Sequence, residues 1–300
     1  MAHFENIHRV VENETVDPVS GHVVWSPMKS LFIIAMYIAT GIGITRYFSW
    51  DAFALFMVKT SAVLLLGHSV GMHRRLIHNS FDCPLLLEYF LVYMGVLVGL
   101  GGPYTMIRTH DTRDWAQRKP KCHDYFAHRR KLLQDAFWQM HCDVRLNHPP
   151  RIVPESRIAG SRFYHFIEKH WIAVHLPWAI AFYLLGGVPW VIWGVCAQIA
   201  VTVTGHWLIG YIAHQDEPTG WHVRGAGVHG YNVKFCGLIS MGECWHNNHH
   251  AFPGSALIGI DKGQADPGWW FIKCLKALGL ATNIKTHKDL PERKELAWVG

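Results

Sequence analysis

Twenty-two of the 300 residues are histidine, as many as Asp and Glu together. Histidine is the commonest metal ligand and the side chain that changes charge near neutral pH. Three groups of these histidines are spaced for chemistry. His73 and His78 form H-x4-H, His214 closes a long apolar run, and His246, His249 and His250 form H-x-x-H-H. Positions i, i+3 and i+4 share one face of a helix. The last spacing therefore predicts three imidazoles pointing into one site. H-x4-H does not share a face on a regular α-helix, because five residues turn about 140° past one full turn. His78 is therefore expected where its helix ends, curling back towards the same site. Nitrogen-rich sites suit iron, zinc and copper rather than magnesium or calcium. A structural zinc site closes at four ligands. Six or more converging histidines exceed that number and point to two metals. Histidine-held iron at a membrane surface fits activation of dioxygen for attack on lipid chains.

The elements that must position these histidines are apolar. Half of the residues are apolar and 17% are charged, which excludes a disordered chain. The seven cysteines show no paired spacing and no C-x-x-C. They indicate reduced thiols in a cytosolic setting rather than a disulfide scaffold. Residues 170–215 contain no Asp, Glu, Lys or Arg. A spanning helix takes roughly 20 apolar residues, so this run holds two, with Gly186-Gly187-Val188-Pro189 as the turn between them. Residues 30–45 are uncharged, and 52–71 form a further apolar run interrupted by Lys59. A charge at that depth is costly, so Lys59 must snorkel or face protein. The predicted spans are about 30–48, 52–71, 171–186 and 189–213. A further apolar segment, about 85–107, reads as an interfacial helix broken at Gly101-Gly102-Pro103.

Of the 28 Lys and Arg residues, 13 lie in 108–170 and none in 171–213. The positive-inside bias then places 72–170, 214–300 and both chain ends in the cytoplasm. No cleavable signal peptide is visible. The expected fold is an all-α membrane protein: four transmembrane helices in two hairpins, with a cytosolic helical cap holding the metal site. The chain reads as one domain over 1–300. The net charge of +6 follows from this bias and from attraction to anionic lipid. No motif accompanies it that would indicate nucleic-acid binding.

Two strings carry a resemblance. They are His73-Arg74-Arg75-Leu76-Ile77-His78-Asn79-Ser80-Phe81 and Gly242-Glu243-Cys244-Trp245-His246-Asn247-Asn248-His249-His250-Ala251-Phe252-Pro253. With the weaker Gly268-Trp269-Trp270-Phe271-Ile272-Lys273 and Leu278-Gly279-Leu280, they make the chain resemble the membrane acyl-CoA desaturases, the group of stearoyl-CoA and bacterial delta-9 desaturases. The resemblance covers about residues 30–290. It implies four spanning helices and a cytosolic cap holding a di-iron centre. It also implies a fatty acyl thioester or acyl lipid as substrate. No haem signature of a fused cytochrome b5 is present, so a separate donor is implied: a ferredoxin, a rubredoxin or cytochrome b5.

The sequence departs from this family at three polar positions. The family's middle box reads H-x-x-H-H, whereas here the stretch is His110-Asp111-Thr112-Arg113-Asp114. His110 remains and Asp114 can still ligate at i, i+4 from it. Arg113 cannot, because guanidinium stays protonated and has no acceptor. It is expected to pair with Asp111, Asp114 or a bound carboxylate. The family also has an Asn, implied to contact a metal through water, where this chain has Gly210. Replacement ligands could come from His123, His128 or His141. The predicted ligands are therefore His73, His78, His110, Asp114, His214, His246, His249 and His250. They would hold two irons, or one if the altered box has lost a site. Three functions stay open: acyl desaturation, hydroxylation or another oxygenation on the same scaffold, and non-catalytic lipid binding at a degenerate site.

Overall fold

The computed structural model describes residues 9–215 and 219–299. The extreme ends of the chain, expected in the cytoplasm, lie outside the described residues. Three helices are long and apolar enough to cross a membrane: Pro27–Arg46, Trp50–Ile77 and Ala173–Ile212. The first begins on Pro27, whose fixed φ and missing N–H suit the opening turn. The second is capped by Ser49, whose hydroxyl accepts from the Ala52 amide, and carries Asp51 in its first turn. That charge complements the positive end of the helix dipole. Leu31, Ile38, Ile42, Val58, Leu184 and Leu185 are exposed on the outer faces of these helices. In water such faces would be a liability; in lipid they are the ordinary surface.

Four spans were expected; three long apolar helices are found, and the 40 residues of the third, 173–212, are two helices joined across a kink. Its backbone leaves helical geometry only at Gly187, at φ 66° and ψ −156°. Glycine reaches that conformation without a Cβ clash. Pro189, two residues on, cannot donate a helical hydrogen bond. Lys59 faces protein rather than lipid. Its ammonium donates to the Gly194 carbonyl at 2.8 Å and lies 5.4 Å from the ring centroids of Trp178 and Phe182.

The end of the second long helix changes register. From Val63 to Ile77 it is a π-helix. The His78 amide donates to the His73 carbonyl at 3.0 Å, an i→i+5 bond. The wider turn of this ladder brings residue i+5 much closer to the face of residue i than an α-helix does, and the two rings lie 4.8 Å apart. The H-x4-H spacing that suits no α-helix therefore aligns His73 and His78 here. Gly67 and Gly71 let this helix press on the helix Leu85–Val96. A Cβ at Gly67 would sit 2.3 Å from the Met94 carbonyl carbon, and one at Gly71 2.4 Å from the Leu91 oxygen. At 12 residues, or about 18 Å, Leu85–Val96 is shorter than a bilayer core. The chain leaves helix at Leu97, earlier than the Gly-Gly-Pro break, and resumes as Pro103–Gln117. Residues 103–107 thus belong to a separate helix that carries His110.

The remainder is short helices and three two-stranded antiparallel ladders, a small departure from an all-helical fold. Val10–Val11 pairs with Arg151–Ile152. Gly21–Trp25 pairs with Cys142–Leu146, Trp25 opposite Cys142. Gly220–Val223 pairs with Leu296–Val299. The largest core cluster joins the π-helix, Leu85–Val96 and the helix Arg162–Lys169 through Met72, Leu76, Val92, Val96, Ile107 and Ile167. Glu168 in the last of these caps the helix bearing His110. It accepts from the Tyr104 and Thr105 amides at 2.9 and 3.2 Å.

Candidate metal centre

Seven of the eight predicted ligands fall into two groups whose ring nitrogens could each hold a metal ion. His73, His78, His110 and His249 form the first, and His214, His246 and His250 the second. Within each group the ligand atoms lie within 4.8 Å of one another. The His73, His78 and His249 ring centroids are 4.5 to 4.8 Å apart. His214 and His250 lie 4.8 and 4.6 Å from His246. The two groups adjoin at His249, 5.9 Å from His250.

The helix His246–Ala251 supplies both groups. Its three histidines were expected in one site, but His249 turns to the first group while His246 and His250 turn to the second. Residues i+3 and i+4 are about 100° apart around a helix, enough to send neighbouring imidazoles to adjacent ions. The intervening asparagines fix the turn. Asn247 accepts from the Trp221 amide at 2.8 Å and donates to the Trp221 and Gly230 carbonyls. Asn248 donates to the Ile258 carbonyl and to Gln264. The His246 and His250 Nε2 atoms face each other at 3.1 Å. Two donors bound about 2.0–2.1 Å from one ion would have a similar separation.

Burial, then repulsion from neighbouring imidazoles, holds His246 and His249 well below the usual imidazole range. Burial pushes His250 down to about 4 against the opposing pull of Asp114. Neutral imidazole is the metal-binding form. The His78 Nε2 and His110 Nδ1 atoms are buried without hydrogen-bond partners, a cost that a bound cation would remove. The donor set is imidazole without thiolate, which fits iron.

Asp114 stands beside the first group rather than inside it, with Oδ2 3.9 Å from His110 Nδ1 and 3.8 Å from Arg118. Burial opposes its charge, but His110 and Arg118 outweigh burial and keep its pKa below the ordinary carboxylate value. Among the described residues Arg113 forms no ion pair with Asp111 or Asp114. It donates to the Gln139 side chain at 2.8 Å, and Asp111 is taken instead by Arg9. His123 caps the short helix Asp124–Ala127 through Nδ1, and His141 bonds Ser30, so neither reaches the groups. His128 does come near: its ring stacks on His214 at 5.2 Å.

Two positions escaped the sequence reading. Glu243 lies against His73, with Oε2 2.5 Å from Nδ1 as an ion pair, while Oε1 takes the Ser69 hydroxyl at 2.6 Å. Burial opposes its ionisation, but the facing His73 overcomes this and keeps the carboxyl far below its usual pKa. Its place in the second string, three residues before His246, was the available signal. His68 lies five residues before His73, continuing the 73–78 spacing along the π-helix, and its Nε2 is 3.2 Å from His206 Nδ1. Because the Glu243 carboxylate lies against His73 Nδ1, Glu243→Gln is expected to lower metal affinity at the first group by about 10–100-fold. Metal titration of the stripped protein measures this; an unchanged affinity would refute the assignment.

The comparisons with known proteins agree with this geometry. No protein-family model matches the chain. It is 31% identical over 264 residues to the sn-1 stearoyl-lipid 9-desaturase of Anabaena variabilis, covering 86% of this chain and 93% of that one. It is 31% identical over 258 residues to the icosanoyl-CoA 5-desaturase of Limnanthes douglasii, covering 83% and 69%. It is 30% identical over 257 residues to the delta-9 acyl-lipid desaturase 2 of Arabidopsis thaliana, covering 83% and 79%. A membrane-embedded chain with clustered imidazoles and this likeness belongs to the fatty acyl desaturase family. It is an oxygen-dependent oxidoreductase and an integral membrane protein.

Proposed function

We propose that this protein inserts a double bond into a fatty acyl chain, carried as an acyl lipid or acyl-CoA, using two irons. One is held by His73, His78, His110 and His249, with Asp114 beside them, and the other by His214, His246 and His250. The observation that carries this reading is the pair of adjoining imidazole groups supplied from one helical turn, His246–Ala251. Two bound irons would supply oxidation by dioxygen. Removing one hydrogen from each of two adjacent methylenes consumes one O2, two electrons and two protons, and yields an alkene and two waters.

The protein's own residues position and insulate this chemistry. The Glu243 carboxylate lies against His73 Nδ1, which leaves Nε2 to face the first group. The Gly210 carbonyl takes Nδ1 of His214, so its Nε2, which meets the Gln117 amide nitrogen at 3.2 Å, is the nitrogen that would turn to the second. His73 and His249 are buried and the other five ligands half-buried, which limits water around them and strengthens electrostatic contacts. Electrons come from a separate ferredoxin, rubredoxin or cytochrome b5. A cleft of about 700 Å3 reaches His78 and Asp114 and is lined by Arg118, Lys119, Arg224 and Arg293. Glu12, Asp111, Asp114, Asp289, Glu292 and Glu295 line it as well, so its charge is balanced.

The break at Gly187 supports reading 173–212 as two spans, making four in two hairpins within a single 1–300 domain. The cap, 72–170 and 214–300, and both chain ends then lie in the cytoplasm with the metal centre. Leu85–Val96, too short to span, lies at the interface. Isolated membranes containing the protein, supplied with reductant and dioxygen, test the proposed reaction. The expected product is an acyl chain lacking two hydrogens. A product gaining one oxygen would replace desaturation by hydroxylation, and no oxygen consumption would overturn both.

A further inference from the structure

The second imidazole group has three members where the first has four. Asp114 does not complete it, since its carboxylate leans towards His110 and Arg118. Beside this three-member group lies His128, on neither the middle box nor a long helix. It caps the short helix Asp124–Ala127 in the left-handed conformation, φ 52°. That turn sends its ring inward, and the residue is 2% exposed.

Its two ring nitrogens have different surroundings. Nδ1 lies 2.9 Å from Oδ1 of Asp135. Asp135 is wholly buried and also accepts from the Trp207 indole at 2.8 Å. A carboxylate only accepts, so Nδ1 carries the proton and Nε2 carries the free lone pair. Nε2 is buried with no hydrogen-bond partner, an unfavourable state for a buried polar atom. A carboxylate behind one nitrogen and an open lone pair on the other is the arrangement of a metal-bound histidine. The ring stacks on His214 with planes 19° apart. A Cβ at Gly210 would be 3.6 Å from the His128 Nε2. His128 thus borders the space that an asparagine side chain at 210 would enter.

We propose that His128 is the fourth protein ligand of the second metal, with His214, His246 and His250, and that Asp135 positions it. The lost box histidine and the glycine at 210 then form one change: a ligand is supplied from a different segment, and the side chain that would crowd it is removed. This inference rests on the two-metal reading above.

The test is iron content per chain of the purified full-length protein, parent and variants, after reconstitution with ferrous iron. His128→Gly is the informative variant, because glycine accepts φ 52° without strain and the fold is left intact, as helix content by circular dichroism would verify. The expected result is two irons in the parent, one in His128→Gly, and recovery of the second on adding free imidazole. Asp135→Asn is expected to weaken only the second iron, by about 10–100-fold, with Asp135→Glu restoring part of it. Two irons of unchanged affinity in His128→Gly would overturn the ligand assignment and leave the desaturase reading standing. A parent binding no iron would overturn the two-metal reading itself.

Discussion

His249→Ala is expected to abolish turnover, lowering product formation by more than about 100-fold, and to remove the iron of the first group. The magnitude follows from position. Second-layer partners of metal ligands cost about 10–100-fold, and His249 is placed as a ligand. Its ring packs on His73 and His78 at 4.5 and 4.8 Å and adjoins His246 and His250 at 6.0 and 5.9 Å. Removing it opens the first group and widens the boundary between the groups. Its alanine variant should keep its fold, because the neighbouring Asn247 and Asn248 bonds hold the turn. Iron content and acyl product measured on the same preparation check this. A variant that retains both would show that His249 is structural.

Glu88→Ala is expected to destabilise the whole protein by about 3–5 kcal/mol, the usual penalty for leaving a buried charge unpaired. Glu88 is 2% exposed. It accepts from the Arg75 guanidinium at 2.6 Å, from the Tyr164 hydroxyl at 2.6 Å and from Arg157 at 2.7 Å. Arg75 also reaches the Phe81 carbonyl and Asp82, so the carboxylate ties the turn after His78 to the helices Leu85–Val96 and Arg162–Lys169. Without it Arg75 keeps only the exposed Asp82 as an ionic partner, Tyr164 loses its acceptor, and the first group loses outer support. Thermal unfolding in detergent should show a large drop in midpoint, accompanied by weaker metal retention. An unchanged midpoint would mean that the three donors are satisfied elsewhere.

The centre was legible in the sequence to the extent that short-range spacing carried it. The H-x-x-H-H string marked a helix, and uncharged runs marked long apolar helices. The partition of His246, His249 and His250 between two groups was not legible, because one helix face subtends enough angle to serve two ions. The H-x4-H spacing could be read only as a helix end while an α-helix was assumed; a π-ladder makes it a row, and His68 extends it. Arg113 was misassigned because its partner, Gln139, lies 26 residues away on another helix. Asp135 and His128 were invisible as a unit for the same reason: their pairing depends on tertiary placement. The turn in 171–213 was legible as Gly186-Gly187-Val188-Pro189, and the kink falls at Gly187.

The central claim is that two imidazole groups hold two irons. The direct measurement is elemental analysis of iron per chain in gently purified, detergent-solubilised protein, alongside an Asp114→Ala variant. The account predicts two irons in the parent. It also predicts two in the variant, since Asp114 stands beside His110 outside both groups. A parent with one iron or none would contradict it.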